Sequence, residues 1–253
     1  SPDNSVASWQ APVAETVVVH GDLWGNGQQE LIQFDSVTGQ FNAEWKSGSG
    51  NAKGVIASWA PGLDLQYLTV QDLNHDGRDD LIAMDRNTGR WAASTTLPGG
   101  TYSTRFIGTW QTGVNWQSVT FADINGDGFD DVTALNPTSD TWNTLLGGND
   151  SFQATTFLSP VSSGNISSVV VDNFDGVAGA DIVIRDSVSG NLTSVTYADS
   201  NFNFKTVGNW SPTGTWVDVN TIDFWGTGRK AVIGRDSQTN EWRLTWSVGS
   251  GYS

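Results

Sequence analysis

The chain has 253 residues, with 27 acidic and 12 basic side chains and a formal charge of −15. This balance argues against a nucleic-acid partner or an anionic membrane surface, because phosphate groups are bound through Lys and Arg. No apolar run approaches the length of a membrane-spanning helix, so no membrane insertion is expected. Cysteine is absent and the only histidines are His20 and His75, which excludes Cys/His metal sites and the usual nucleophile–base pairs of catalysis.

One sequence unit recurs along the chain. It is marked by an aspartate about every fifty residues, at Asp22, Asp72, Asp123, Asp172 and Asp223. Aromatic residues repeat in two further registers, at Trp9, Trp59, Trp110 and Trp210, and at Phe41, Trp91, Trp142 and Trp242. We interpret these registers as packing between repeats. A period of this length in a Gly-rich sequence predicts propeller blades, with one four-stranded antiparallel sheet per repeat.

The second repeat shows the predicted strands most clearly, and no helix is predicted. Its strands are expected at 68–70, 81–84, 90–97 and 104–110, with a hairpin turn at 85–89 and a loop at 98–100. The blades are predicted over 10–59, 60–110, 111–159, 160–210 and 211–253, the last completed by 1–9. Segment 5–9 matches segment 55–59, so it is expected to supply the missing fourth strand of the last blade. The prediction is one closed, all-β, five-bladed propeller domain over residues 1–253.

Two of the five aspartates begin a loop with the ligand spacing of a short calcium site. Counted from the first aspartate, oxygen-bearing side chains stand at positions 1, 3, 5 and 9, a glycine at 6, and a backbone carbonyl is expected at 7. The predicted ligands are Asp72, Asn74, Asp76, the carbonyl of Arg78 and Asp80, then Asp123, Asn125, Asp127, the carbonyl of Phe129 and Asp131. A plain hairpin turn does not need three carboxylates, which repel each other by about 1 kcal/mol per pair at 4 Å in water. An EF-hand is excluded, because the closing acid stands at position 9 and no Glu stands at 12.

The other three loops depart from this pattern. In the first, Trp24 takes position 3 and leaves Asp22, Asn26 and Glu30 as candidate ligands. The fourth loop is one residue longer and keeps Asp172, Asp175 and Asp181. The fifth retains only Asp223 beside a lysine, so no metal is predicted there.

The repeats that lack calcium ligands carry extra tryptophans. Trp24 and Trp225 are equivalent positions, as are Trp45 and Trp246. These pairs belong to the first and last blades, which are neighbours in a closed ring. One interpretation is a platform between these two blades on which a sugar ring stacks, because an indole offers a flat apolar face and a polar edge. The other is that Trp24 and Trp225 fill the space that a calcium ion would have occupied. The sequence leaves both open.

The motif Asp-x-Asn-x-Asp-Gly-x-Asp-Asp-Leu/Val, followed by Asp-x-x-Thr-Gly-x-Trp, resembles the FG-GAP/VCBS repeats. Such repeats build integrin α-subunit propellers and many bacterial secreted proteins, including lectins. The resemblance implies calcium in the Asp-rich loops, an extracellular location, and binding or adhesion in place of catalysis. It transfers directly to the second and third repeats.

The sequence therefore predicts a calcium-stabilised, non-enzymatic recognition module of a secreted or cell-surface bacterial protein, with a carbohydrate ligand. A structural or adhesive propeller that binds an extracellular protein is the alternative. A domain of a polysaccharide-degrading enzyme is a third possibility, although the loop acids are better explained as metal ligands. The identity of the ligand and the oligomeric state stay open.

Overall fold

The computed structural model describes residues 17–97, 101–148, 152–248 and 251–252. These residues form five antiparallel sheets, each built from consecutive strands of the chain. By compactness the chain divides after Thr112 into a first and a second unit, with Leu73–His75 grouped in the second.

The first unit contains two sheets. The first sheet consists of β1 (Val17–Gly21), β2 (Glu30–Asp35), β3 (Gln40–Ser47) and β4 (Gly50–Ser58). The second consists of β5 (Leu65–Gln71), β6 (Asp80–Asp85), β7 (Arg90–Leu97) and β8 (Thr101–Thr109). Each Asp-rich loop connects the first and second strands of its sheet, and every residue of β6 is buried.

The second unit contains three sheets. The third sheet consists of β9 (Gln117–Ala122), β10 (Asp131–Asn136), β11 (Thr141–Leu146) and β12 (Gln153–Leu158). A 3₁₀ turn (Ser163–Asn165) precedes the fourth sheet, which consists of β13 (Ile166–Asp172), β14 (Asp181–Asp186), β15 (Asn191–Ala198) and β16 (Asn201–Asn209). The fifth consists of β17 (Trp216–Ile222), β18 (Ala231–Asp236), β19 (Trp242–Val248) and β20 (Gly251–Tyr252).

The prediction of five antiparallel sheets, one per repeat, is confirmed. The fourth strand of the second sheet runs from Thr101 to Thr109, so the predicted range of 104–110 began too late. The fifth sheet has three strands of full length, and its fourth is only the two residues of β20, which pair with Ser247 and Val248. The predicted loop at 98–100 and the predicted strand at 5–9 lie outside the described residues. Closure of a ring and a single domain over 1–253 therefore stay predictions.

The repeated tryptophans are mostly buried, as a packing role requires. Trp91 and Trp142 have no exposed surface, and Trp110 and Trp210 are at most 5% exposed. Trp242, in the same register as Trp91, is 56% exposed. The fourth strand of the second sheet pairs Trp91 with Gly108, whereas the described fourth strand of the fifth sheet begins only beside Val248 and Ser247.

The turn between the second and third strands needs its glycine. In the second sheet Gly89 has φ +69° and its N–H donates to the Asp85 carbonyl at 2.7 Å. A Cβ at Gly89 would collide with the carbonyl oxygen of Trp110. The sequence signal for this hairpin is therefore backed by a steric requirement. Among the described residues, none forms a helix with the length and hydrophobicity of a membrane crossing.

Candidate functional site

In every Asp-rich loop except the fourth, the first aspartate accepts backbone N–H groups from farther along the loop and so organises it. In the third repeat the Asp123 carboxylate accepts the N–H groups of Gly126, Asp127 and Gly128 at 2.7–3.1 Å. In the second repeat Asp72 accepts those of Asp76 at 3.1 Å and Gly77 at 2.9 Å. Gly77 and Gly128 have φ of +82° and +90°, the left-handed conformation in which glycine is favoured. The predicted turn glycines therefore have the conformation that the loop needs.

The acid at position 9 lies in the interior. Glu30, Asp80, Asp131 and Asp181 are all at most 4% exposed. Three of these carboxylates accept the N–H group of an apolar loop residue: Glu30 that of Leu23 at 2.8 Å, Asp131 that of Ile124 at 2.7 Å, and Asp181 that of Phe174 at 2.9 Å. Each of these three apolar residues is at most 2% exposed. The position-9 acid thus holds an apolar loop side chain in the core.

Burial makes these carboxylates weak acids. Burial, together with the nearby charges of Asp22 and Asp79, raises the pKa of Glu30 to about 7. In the same way burial, with the charge of Asp123, raises the pKa of Asp131 to about 7. Burial and the charge of Asp175 raise the pKa of Asp181 to about 6. A cation in such a loop would favour the ionised form of its carboxylates.

The second and third loops fit calcium by the chemistry of their donors. Asp127 accepts the N–H of Phe129 at 2.9 Å and the side-chain amide of Asn125 at 3.0 Å, and Asp76 accepts the N–H of Arg78 at 3.0 Å. A carboxylate has about four lone-pair sites, so these bonds leave acceptor capacity for a cation. In the described part of the chain, no three His, Asp or Glu side chains converge closely enough to hold a metal by themselves. A site here would therefore depend on the predicted Asn74, Asn125 and backbone carbonyls as well.

The two loops differ at position 7. In the second loop the Arg78 guanidinium forms an ion pair with Asp76 at 2.6 Å, whereas the third loop has Phe129 at this position. A cation bound at Asp76 would compete with Arg78 for the same carboxylate. The third loop therefore matches the all-oxygen ligand set of calcium more closely than the second.

The fourth loop is already supplied with positive charge. Arg229 donates from Nε to the Asp175 carbonyl at 2.9 Å, and Lys230 Nζ lies 3.9 Å from the Asp172 carboxylate. Thr221 also donates to Asp172 at 2.8 Å. These contacts weaken the case for metal at Asp172, Asp175 and Asp181. The sequence signal for them was Lys230 itself, which stands where the second and third loops have Asp79 and Asp130.

Successive loops within a unit are joined by backbone hydrogen bonds. The Asp79 N–H donates to the Asp22 carbonyl at 2.9 Å, and the Ala180 N–H to the Asp123 carbonyl at 2.6 Å. The Lys230 N–H donates to the Asn173 carbonyl at 2.8 Å. In each case the residue just before position 9 of one loop bonds to the start of the loop before it.

In the first loop the indole at position 3 is packed against the core. Trp24 and Trp45 meet edge to face at 5.1 Å, and both lie against the buried cluster that contains Leu23 and Phe41. The two oxygens of Asp22 accept the N–H groups of Asn26 at 3.0 Å and Gly27 at 2.7 Å. Of the predicted ligands, Glu30 is turned into the core toward Leu23. The arrangement agrees with Trp24 filling the loop.

The fifth loop exposes its aromatic residues. Position 9 is Ala231, so no side-chain carboxylate there can accept the N–H of Phe224. Phe224 is 61% and Trp225 48% exposed, and Trp225 lies 5.2 Å from both the Phe224 ring and the Trp246 ring. We call Phe224, Trp225 and Trp246 the aromatic patch. Sequence reasoning found the two tryptophans but missed Phe224, whose equivalents in other loops are buried.

Two family models match the middle of the chain. The FG-GAP-like repeat family matches residues 72–134, and the FG-GAP repeat family matches residues 115–157. These residues are therefore similar to FG-GAP repeats. No curated protein matches the sequence. Among solved structures, this chain shares its fold with a lectin from Agrocybe aegerita that recognises non-reducing terminal N-acetylglucosamine, with a TM-score of 0.69 at 14% identity. The alignment covers 95% of this chain and 65% of the lectin chain.

The matched ranges contain both regular Asp-rich loops, residues 72–80 and 123–131. The predicted FG-GAP resemblance is therefore confirmed. The two tryptophan pairs lie in different units. Trp24 and Trp45 belong to the first unit, and Trp225 and Trp246 belong to the second.

Proposed function

We propose that this protein is a non-enzymatic carbohydrate-recognition module of the lectin type, secreted or displayed on a cell surface and stabilised by calcium. The observation that carries the proposal is the aromatic patch of the fifth loop. Exposed clusters of large aromatic side chains are uncommon on soluble proteins unless they bind something. The FG-GAP repeats and the fold shared with a lectin support a recognition role.

The patch suits the apolar face of a sugar ring. Trp225 presents about half of its surface, and the ring of Trp246 lies beside it at 56° to the indole plane. Two rings at an angle form a shallow corner in which one pyranose can contact both. Each indole also carries one N–H donor, the kind of group that a sugar hydroxyl can accept from.

Calcium has a structural task in this proposal. Bound by the second and third loops through Asp72, Asn74, Asp76, Asp80, Asp123, Asn125, Asp127 and Asp131, with the carbonyls of Arg78 and Phe129, it would offset the mutual repulsion of the carboxylates. The fifth loop, which carries the patch, has Arg229 and Lys230 and a single aspartate at position 1. Ligand binding at the patch therefore does not require a metal contact.

A glycan array probed with the purified protein tests the proposal, with Trp225→Ala as the informative variant. We expect the wild type to bind a defined set of glycans and Trp225→Ala to bind them at least about tenfold more weakly, because a central indole contributes much of a small binding surface. Trp24→Ala is the matched control: it removes the equivalent indole, which is packed on the core. It should keep the glycan profile when assayed below its melting temperature.

The outcome that contradicts the proposal is an array with no glycan bound by wild-type protein. Equal binding by wild type and Trp225→Ala would also remove the aromatic patch as the site. If immobilised extracellular proteins are bound in a Trp225-dependent manner while glycans are not, the patch serves the alternative of protein adhesion.

A further inference from the structure

A second candidate site lies in the first unit, away from the Asp-rich loops. It is a cleft of about 390 Å³ between the segment that follows β4 and the strands β6, β7 and β8. Its walls include Trp59, Leu63, Leu65, Arg90 and Phe106. Its volume lies within the range of about 300–1,000 Å³ that small-molecule sites have. A mostly apolar cleft with a few polar groups is the usual form of such a site.

One side of the cleft pairs an exposed aromatic ring with a cation. Phe106 is 53% exposed, and the Arg90 guanidinium carbon lies 4.8 Å from the centre of its ring. Within the described part of the chain Arg90 forms no ion pair, whereas Arg86, on the same hairpin, lies 3.5 Å from Asp64. Stacking fixes the guanidinium plane and leaves its edge for a planar anion.

The acidic residue of the cleft is already engaged. Asp85 is 7% exposed and accepts the hydroxyl of Thr88 at 2.6 Å and the N–H groups of Asp64 and Asn87 at 3.3 Å. The bonds from Thr88 and Asn87 belong to the hairpin turn, and the bond from Asp64 ties that turn to the segment before β5. Arg90 and Arg105 both line the cleft, so the cleft is net positive in a chain with a formal charge of −15. The charge favours an anionic ligand.

The second unit has an equivalent cleft that lacks this cation. It has a volume of about 310 Å³ and is lined by Asp186, Ser189, Asn191, Phe204 and Lys205 among others. Strand register places Asn191 at the position of Arg90 and Lys205 at the position of Arg105. Of these two clefts in the described part of the chain, the one at Arg90 has a stacked arginine and the other does not.

We propose that the cleft at Arg90 binds a sugar that carries a carboxylate, a hexuronate residue of an acidic polysaccharide. Arg90 would hold the carboxylate through two parallel N–H donors, and Phe106 and Trp59 would contact the C–H face of the ring. This inference deepens the proposed carbohydrate recognition and rests on it, but the site is separate from the aromatic patch. The inference narrows the expected ligand from carbohydrates in general to negatively charged sugars.

Isothermal titration of the full chain with galacturonate, with oligogalacturonate and with the methyl ester of galacturonate tests the inference. The acids should bind, and the uncharged ester should bind at least about tenfold more weakly, because a charge-assisted hydrogen-bond pair is lost. Arg90→Asn, which reproduces the residue of the second cleft, should weaken binding of the acids by a similar factor. Arg86→Asn, a neighbouring arginine that lies beside Asp64, is the matched control and should leave binding unchanged.

Three results would overturn the inference: equal affinity for acid and ester, unchanged binding by Arg90→Asn, or no binding of any hexuronate. If neutral glycans bind through Trp225 and hexuronates do not bind, this inference fails and the proposed function stands. If hexuronates bind Trp225→Ala as well as wild type and lose affinity with Arg90→Asn, the cleft is confirmed as a site of its own. Melting curves for each variant show whether it is folded in the titration.

Discussion

The first and fifth loops share a sequence pattern and yet place their aromatic residues differently. Both begin with Asp and have Trp at position 3, and each tryptophan meets a second one from the third strand, at 5.1 Å in the first loop and 5.2 Å in the fifth. In the first loop Leu23 has no exposed surface and Trp24 lies on the core. In the fifth loop Phe224 and Trp225 are on the surface.

The residue at position 9 accounts for the difference. Glu30 accepts the Leu23 N–H and so holds that side chain inward, whereas Ala231 has no acceptor for the Phe224 N–H. In the first three loops position 9 is an acid and the residue at position 2 is buried, whereas in the fifth loop position 9 is an alanine and Phe224 at position 2 is exposed. Of the two interpretations of the tryptophans, filling the space of a calcium ion fits Trp24 in the first loop, and a sugar-stacking platform fits Trp225 in the fifth.

The largest effect is expected for the indole that lies on the core. Trp24→Ala should lower the free energy of unfolding by about 2–4 kcal/mol, somewhat less than a fully buried tryptophan would. Trp225→Ala should lower it by less than about 1 kcal/mol, because its side chain is half exposed. Urea unfolding of both variants measures this. An equal loss of unfolding free energy in the two variants would contradict the conclusion that Trp24 fills its loop and Trp225 lies on the surface.

Calcium gives the next largest effect. An ion held only by the folded state stabilises it by about 2.7 kcal/mol when its concentration is 100 times its dissociation constant. We expect EDTA to lower the melting temperature of the wild type, and Asp127→Asn to remove part of that response. Asp223→Asn is the control, because the fifth loop is predicted to bind no metal; its melting temperature should respond to EDTA as the wild type does. If EDTA leaves the wild-type melting curve unchanged, stabilisation by calcium in these loops is excluded.

A smaller effect concerns pH and Glu30. Its folded-state pKa is raised from 4.5 to about 7, so the folded protein binds the proton more tightly than the unfolded chain does. Its contribution to stability is complete below pH 4.5 and is lost as the pH rises through 7. Glu30→Gln keeps an acceptor for Leu23 and removes this loss, so without calcium it should gain stability over the wild type by on the order of 1 kcal/mol between pH 5 and 8. A stability difference that is constant over this range would show that Glu30 keeps its ordinary pKa.

The smallest effect is expected for the cations of the fourth loop. Arg229→Ala removes the donors to the Asp175 carbonyl and should lower the free energy of unfolding by about 1 kcal/mol. Arg86→Ala, which removes a surface ion pair, should lower the free energy of unfolding by less than about 0.5 kcal/mol. Thermal unfolding compares the two. If loss of Arg229 makes the fourth loop bind calcium, as a melting temperature newly raised by calcium would show, the arginine is confirmed as a substitute for the ion.

Local patterns in the sequence predicted the sheets and the loop geometry. The repeated Asp, the Gly at position 6 and the hairpin Gly each act within a few residues, so their spacing determines the turn. The exposure of Phe224, the reach of Arg229 to Asp175 and the cleft at Phe106 depend on residues from other strands or the next repeat. Such contacts leave no period in the sequence. The signs of these contacts in the sequence are Lys230, which stands where the second and third loops have Asp, and Ala231, which stands where the other loops have an acid.

The backbone bonds between consecutive loops have a mechanical consequence. Ala180 is tied to Asp123, and Lys230 to Asn173, so a repeat cannot peel away from the one before it without breaking a bond at the loop. The fourth repeat is therefore held to the third, and the fifth to the fourth, so fraying that starts in one of these sheets is opposed at the next. A force that pulls on the fifth repeat would be carried to the fourth repeat and then to the third through these backbone bonds.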